Sequence, residues 1–221
     1  MPNFTTPAPI TAVLDLPAGR VHLAAGDRAD TTVEVRPADP ARHRDVKAAE
    51  QTTVTYADGV LRVHAPRGKN PYFGATGAIE ITVGLPAGSD VQATTAASEL
   101  VGTGRLGDVR FEGAYREIRL EEAAGVHLTA TDGDVEVGRL AGPAQISTAR
   151  GDIRIAEAVR GDVVLETQQG AITVAAAPGV SASLDAGTSY GRVDNALKNT
   201  GTAELAIKAT TSYGDIVARS K

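Results

Sequence analysis

The segment from Leu184 to Val193 reads LDAGTSYGRV, and within it Gly187-Thr188-Ser189-Tyr190-Gly191 spells G-x-S-x-G. That spacing belongs to the nucleophile elbow of esterases, where a sharp strand-to-helix turn exposes the serine and a histidine takes its proton. The rest of that chemistry is missing. The residues that follow, RVDNAL, alternate like a strand, and His127 is the last histidine, so none comes after the serine. TSYG recurs at Thr211 to Gly214, with Thr210 where the leading glycine should stand. The elbow is therefore read as a repeat turn.

Other matches fail in the same way. Gly102-Thr103-Gly104-Arg105-Leu106-Gly107 fits G-x-G-x-x-G, which binds dinucleotides by placing pyrophosphate on a helix N-terminus. Here DVRFEGAYREIRL follows, which alternates as strands and offers no helix dipole. Arg150-Gly151-Asp152 and Arg160-Gly161-Asp162 spell an adhesion tripeptide, yet Gly-Asp also recurs at Gly133-Asp134 and Gly214-Asp215, so turn chemistry accounts for it. Glu117, Asp134 and Asp152 occupy equivalent repeat positions and would form an acidic ladder able to gather a divalent cation or serve as paired acids on a carbohydrate. The ladder breaks at Ala171 and Arg192, so these are read as solvated turn carboxylates. His22, His43, His64 and His127 lack metal-binding spacing. No catalytic residue, metal ligand or cofactor is assigned.

One loop invites binding. Pro66 to Gly77, PRGKNPYFGATG, joins two strand candidates and carries Arg67, Lys69, Tyr72 and Phe73 among Gly and Pro. Functional contacts concentrate on such loops, so these four residues form a candidate binding lip.

The elements that must position these residues are short strands. Among 221 residues, 24 are glycine, 42% are apolar and only 4% aromatic, and Val, Ile and Thr are frequent. The net charge of −5 argues against nucleic acid or an anionic membrane surface as partner. With no cysteine, disulfides and thiolate metal sites are excluded. No export signal or membrane span is evident, so a cytoplasmic location is expected.

From about residue 88 a repeat emerges. One apolar series starts at Val91, Val109, Val126, Ala144, Val163, Ala182 and Leu205, and a second at Leu100, Ile118, Val135, Ile153, Ile172, Val193 and Ile216. Spacings are 17 to 19 residues at first and stretch to 21 and 23 near the end. Gly133, Gly151, Gly170, Gly191 and Gly214 each stand two places before a strand residue, where the chain must turn. Each unit reads as strand, turn, strand, turn, and cannot bury its apolar face alone. Stacking equivalent positions about 4.8 Å apart solves that problem. The expected fold is an all-β solenoid of about seven coils over 88–221.

Residues 1–87 do not keep this phase and are expected to form a β-rich cap. Their strand candidates are TAVLDL, TTVEVRP, TTVTYA, GVLRVHA and AIEITVGLP. One helix, DPARHRDVKAAEQ, takes Asp39 as N-cap and Pro40 as its first residue. Since the sequence ends with GDIVARSK, soon after its last strand, the last coil is expected to be uncapped. Its strand, with Ile216 and Ala218, would then pair with a partner or a second copy, a homodimer being the simplest outcome.

LPAGRVHLAAGDR, ITVGLPAGSDV, the Gly-Asp-hydrophobic turns and the closing pair TSYGRVDNAL and TSYGDIVARS resemble a bacterial β-strand-repeat family of unknown function commonly labelled "putative adhesin". The Arg- and Ala-rich wording is similar to its actinobacterial members. The resemblance implies a right-handed β-helix-like fold and supplies no catalytic residues. The resulting expectation is a non-catalytic scaffold or protein-interaction module. The alternatives are a surface adhesin-like protein and a carbohydrate-active enzyme using the acidic ladder.

Overall fold

The computed structural model describes residues 2–66 and 77–221, with the backbone alone at 114–116. The candidate lip residues Arg67, Lys69, Tyr72 and Phe73 lie outside the described residues.

Alternating sequence makes alternating burial. In β8 (Asp134–Leu140), β9 (Ala144–Arg150), β10 (Ile153–Ala158) and β11 (Gly161–Gln169), the residues predicted to face inward are buried and their neighbours reach solvent. These strands line up in two parallel columns, one on each side of a continuous apolar core. The first column runs β4 (Thr53–Ala57), β5 (Val60–His64), the first half of β2 (Thr11–Gly26), β7 (Asp90–Asp132), β9, β11, β15 (Leu205–Tyr213), β13 (Ala182–Tyr190). The second runs β1 (Asn3–Thr5), β3 (Asp30–Pro37), β6 (Ile79–Pro86), the second half of β2, β7, β8, β10, β12 (Ile172–Ala176), β16 (Ile216–Ser220), β14 (Val193–Ala196). β7 is one uninterrupted run that serves both columns.

The predicted stacking of Ile153 between Val135 and Ile172 is present. Two features differ from expectation. First, the chain skips a layer near each end. β2 lies between the later β5 and β6 on one side and β7 on the other. Likewise β15 and β16 lie between β11 and β12 on one side and the earlier β13 and β14 on the other. Ile216 and Ala218 are consequently buried and paired on both sides, so they cannot be an end-pairing strand. The reason is in the inward residues. β15 and β16 contribute Leu205, Ile207, Ala209 and Ile216, all buried, whereas the other coil contributes Ala182, Leu184, Ala186, Val193 and Asn195. The more apolar coil takes the interior.

Second, Val163 aligns with Ile207 and Leu184, not with Leu205 and Ala182. A slip of two residues keeps every side chain on its face, so alternation alone is blind to it.

The other end is capped by antiparallel structure: β3 on β6, β4 on β5 and β1 on β3. The single helix among the described residues, α1 (His43–Gln51), packs near β3 and β6. It starts later than expected. Asp39 accepts from Ala41 N in a tight turn before the helix, and Arg42 occupies the N-cap without a side-chain bond. The buried Asp45 instead fixes the helix by accepting Ala78 N–H at 3.0 Å. β2 keeps the repeat register with β7, Ala12 beside Val91 and Val21 beside Leu100, so residues before 88 supply a layer of the stack as well as its cap.

Candidate functional site

At one corner of the rod the turns of successive layers stack into a column, and their side chains bond between layers. Thr167 Oγ1 donates to Gly151 O at 3.1 Å, Thr211 Oγ1 to Gly170 O at 3.0 Å and Thr188 Oγ1 to Gly214 O at 3.0 Å. Two residues on, Tyr213 stacks on Tyr190, with centroids 4.9 Å apart and planes 3° from parallel. Then come the glycines. Gly133, Gly151, Gly170 and Gly214 have positive φ as expected, and Gly191 does not.

Next in the column are the carboxylates. Asp134 Oδ1 accepts Asp152 N–H at 2.8 Å, Asp152 Oδ1 accepts Ala171 N–H at 2.7 Å, and Asp215 Oδ1 accepts Arg192 N–H at 2.8 Å. Each aspartate thus holds the backbone of its neighbouring layer. Glu117 instead pairs with Arg119. The ladder stitches layers together, and among the described residues no group of three or more His, Asp or Glu is placed to hold a metal ion.

The elbow serine now has a clear place. Ser189 is an exposed residue within β13, not on a strand-to-helix turn. Its TSYG stretch is one rung of the corner: Thr188 grips the neighbouring layer, Tyr190 stacks, and Gly191 leaves room for the Gly214 carbonyl that a Cβ would overlap.

The Asp215 carboxyl is held below the usual carboxylate range, chiefly by the Arg192 N–H and further by the Arg192 guanidinium. A group with a lowered folded-state pKa contributes stability above the ordinary aspartate value of about 3.9 and loses it as the pH falls through the lower folded value. Acidification into that window should loosen β14 from β16. Amide exchange at Arg192 should then quicken relative to Ile172 in the rod interior, and Asp215→Asn should remove the pH dependence.

The sides and the free end of the rod differ in kind. Along the sides, charges pair between layers: Arg20 with Glu80 and Glu99, Arg119 with Glu136, Arg139 with Glu157, Arg150 with Asp132. A shallow groove of about 350 Å³ crosses the first column beside Asp108, Arg110, His127 and Gln145. At the end, among the described residues, β13 and β14 each have a neighbouring strand on one side only. Among the described residues, the exposed large apolar side chains are Tyr190, Val193 and Tyr213, all at this end. Tyr190 is 68% and Val193 45% exposed. The edge is partly closed where Ala182 N–H donates to Lys198 O at 3.0 Å. Beyond that point it is open.

This surface was hidden from sequence reasoning because the order of the last two coils was taken from the chain. Two residues carried the signal. Asn195 is polar at an inward position, opposite Ala218. Arg192 stands where the ladder needs a carboxylate to hold another layer.

No curated protein matches the chain. A solved structure described as a "putative adhesin" from Bacteroides fragilis NCTC 9343 is similar in fold, with a TM-score of 0.52 at 15% identity over 98% of this chain and 95% of that one. A "putative cell adhesion protein" from Clostridium sporogenes ATCC 15579 aligns over 100% and 98% of the two chains at 13% identity, with a TM-score of 0.35. The description of one family, Toastrack DUF4097, fits residues 13–220, nearly the whole stack, and the chain belongs to that family.

Proposed function

We propose that the protein is a non-catalytic scaffold that joins protein partners through the open coil formed by β13 and β14. The observation that carries this reading is the contrast between the ends. One finishes in the antiparallel strands β1 and β4 beside a helix and, among the described residues, exposes no large apolar side chain, while the other leaves the edges of two parallel strands bare beside exposed Tyr190 and Val193. Bare edges template pairing, and the sides, with charges already matched between layers, do not. The reading takes the rod as one continuous right-handed stack of about seven coils over 88–221, closed by a cap within 1–87. The Arg- and Ala-rich composition fits an actinobacterial member of the family. The Arg67 to Phe73 lip and the rod sides would be secondary surfaces.

Light scattering tests it. The protein should self-associate at high micromolar concentration, and Val193→Lys should abolish association without lowering the melting temperature by more than about 3 °C. A strict monomer, or a dimer indifferent to Val193→Lys, would remove the open end as the docking surface. A second reading, an adhesin-like protein at the cell surface, draws on the fold likeness to the Bacteroides fragilis protein. Fractionation of producing cells separates this reading from a cytoplasmic location.

A further inference from the structure

We propose that a second copy of this chain pairs antiparallel with β14, centred on Val193, so that Arg192 of each copy faces the partner's Asp194. The inference rests on the open coil being the docking surface, and it specifies occupant and register.

The backbone sets the register. Ile216 N–H donates to Arg192 O at 2.8 Å, so Arg192 and Asp194 turn their peptide groups toward β16. In such a ladder the residue between them, Val193, turns its N–H and C=O to the open side. Two Val193 residues placed opposite one another across a two-fold axis can therefore exchange both N–H···O bonds. The flanking positions then form non-hydrogen-bonded pairs, in which side chains approach most closely.

The side chains complement that register. Arg192 and Asp194 lie two apart and so on one face of β14, opposite in charge on either side of the two-fold centre. Pairing about Val193 brings Arg192 against the partner's Asp194 twice, by symmetry. Neither is well used in the single chain. The Arg192 side chain is 90% exposed and meets Asp215 at 3.4 Å, and among the described residues no cation pairs with Asp194. Moving the centre by one residue, to Arg192 or Asp194, would set two like charges opposite each other and aim the central peptide groups back at β16. The Val193 side chains, at the end of the Ile172–Ile216 column, would extend that column into the second copy.

Charge reversal reads the register directly by sedimentation equilibrium. Arg192→Asp alone sets Asp against Asp twice, Asp194→Arg alone sets Arg against Arg twice, and each should dimerise at least about tenfold more weakly than the parent. Mixing the two single variants should restore a heterodimer, because every facing pair is again opposite in charge. The double variant should self-associate like the parent. Circular dichroism melts should leave all three folded, since both positions are exposed. If Val193→Lys abolishes the dimer but charge reversal changes nothing, or the mixture dimerises no better than its components, the register is wrong while the docking surface stands. A parent that stays monomeric overturns both.

Discussion

Ile216→Lys should unfold the final layers of the rod, whereas Val193→Lys should leave them folded. Both residues are aliphatic, both end a G-x-hydrophobic turn, and the sequence makes them equivalent. Their surroundings are not. Ile216 is fully buried, with Ile172 on one side and Val193 on the other, and its N–H is bonded to Arg192 O. An ammonium there loses the packing of a core isoleucine and has no partner for its charge, a combined cost of about 4 kcal/mol or more. Domains are stable by about 5–15 kcal/mol, and in a solenoid each layer leans on its neighbours, so the damage should concentrate in β11 to β16. Val193 is nearly half exposed and, among the described residues, has no strand paired outside it, and the same change there should cost less than about 1 kcal/mol. Urea unfolding of the two variants is the measurement. Equal losses would contradict the burial of β15 and β16 behind β13 and β14.

Gly151→Ala should be nearly as damaging, although it adds one methyl group at a turn. Gly151 sits at φ +131°, which an L side chain rarely adopts, and an added Cβ would overlap the carbonyl of Gly133 in the neighbouring layer. The overlap is with backbone, so no rotamer relieves it, and the layers would have to part where Asp134 accepts Asp152 N–H and Gly133 N–H donates to Arg150 O. The expected cost is about 3 kcal/mol. Gly187→Ala is the matched control. A Cβ there meets nothing within 4 Å, and the change should be worth less than about 0.5 kcal/mol. Thermal melts of the pair would separate them by several degrees. If Gly151→Ala melted like Gly187→Ala, the stacking of turn glycines would not limit the layer spacing.

Much of this architecture could be read from the chain because period two and period eighteen are both imposed by burial. The column through Val135, Ile153 and Ile172 followed from spacing alone, and so did the turn glycines. What escaped was any choice to which burial periodicity is indifferent. Whether Leu205 sits beside Val163 or Gly161 leaves every side chain on its face. Whether the coil of Ile216 lies inside or outside that of Val193 changes only which of two similar coils is last. The stretched spacings of 21 and 23 residues were the visible trace, since residues 177–181 pass over the layer that β15 and β16 fill and residues 197–204 lead back into it. The acidic ladder was seen as a pattern, yet its use was settled by backbone N–H groups that sequence does not display. The helix start moved because Asp39 closes its own turn first.

The skipped layers also govern how the rod would carry tension. In a solenoid threaded in order, a pull at the last strand peels one edge, opening one hydrogen bond at a time. Here a pull transmitted through Ser220 acts on β16, which is held by β12 on one side and β14 on the other, with β15 likewise held by β11 and β13. Freeing that coil means shearing four strand interfaces together, and the outermost coil cannot be shed first because residues 197–204 tether it to β15. A pull on β2 meets the same arrangement at the opposite end, between β5 and β6 on one side and β7 on the other. The threading makes a clasp of the last layers, so the rod resists being unravelled by a pull on Ser220.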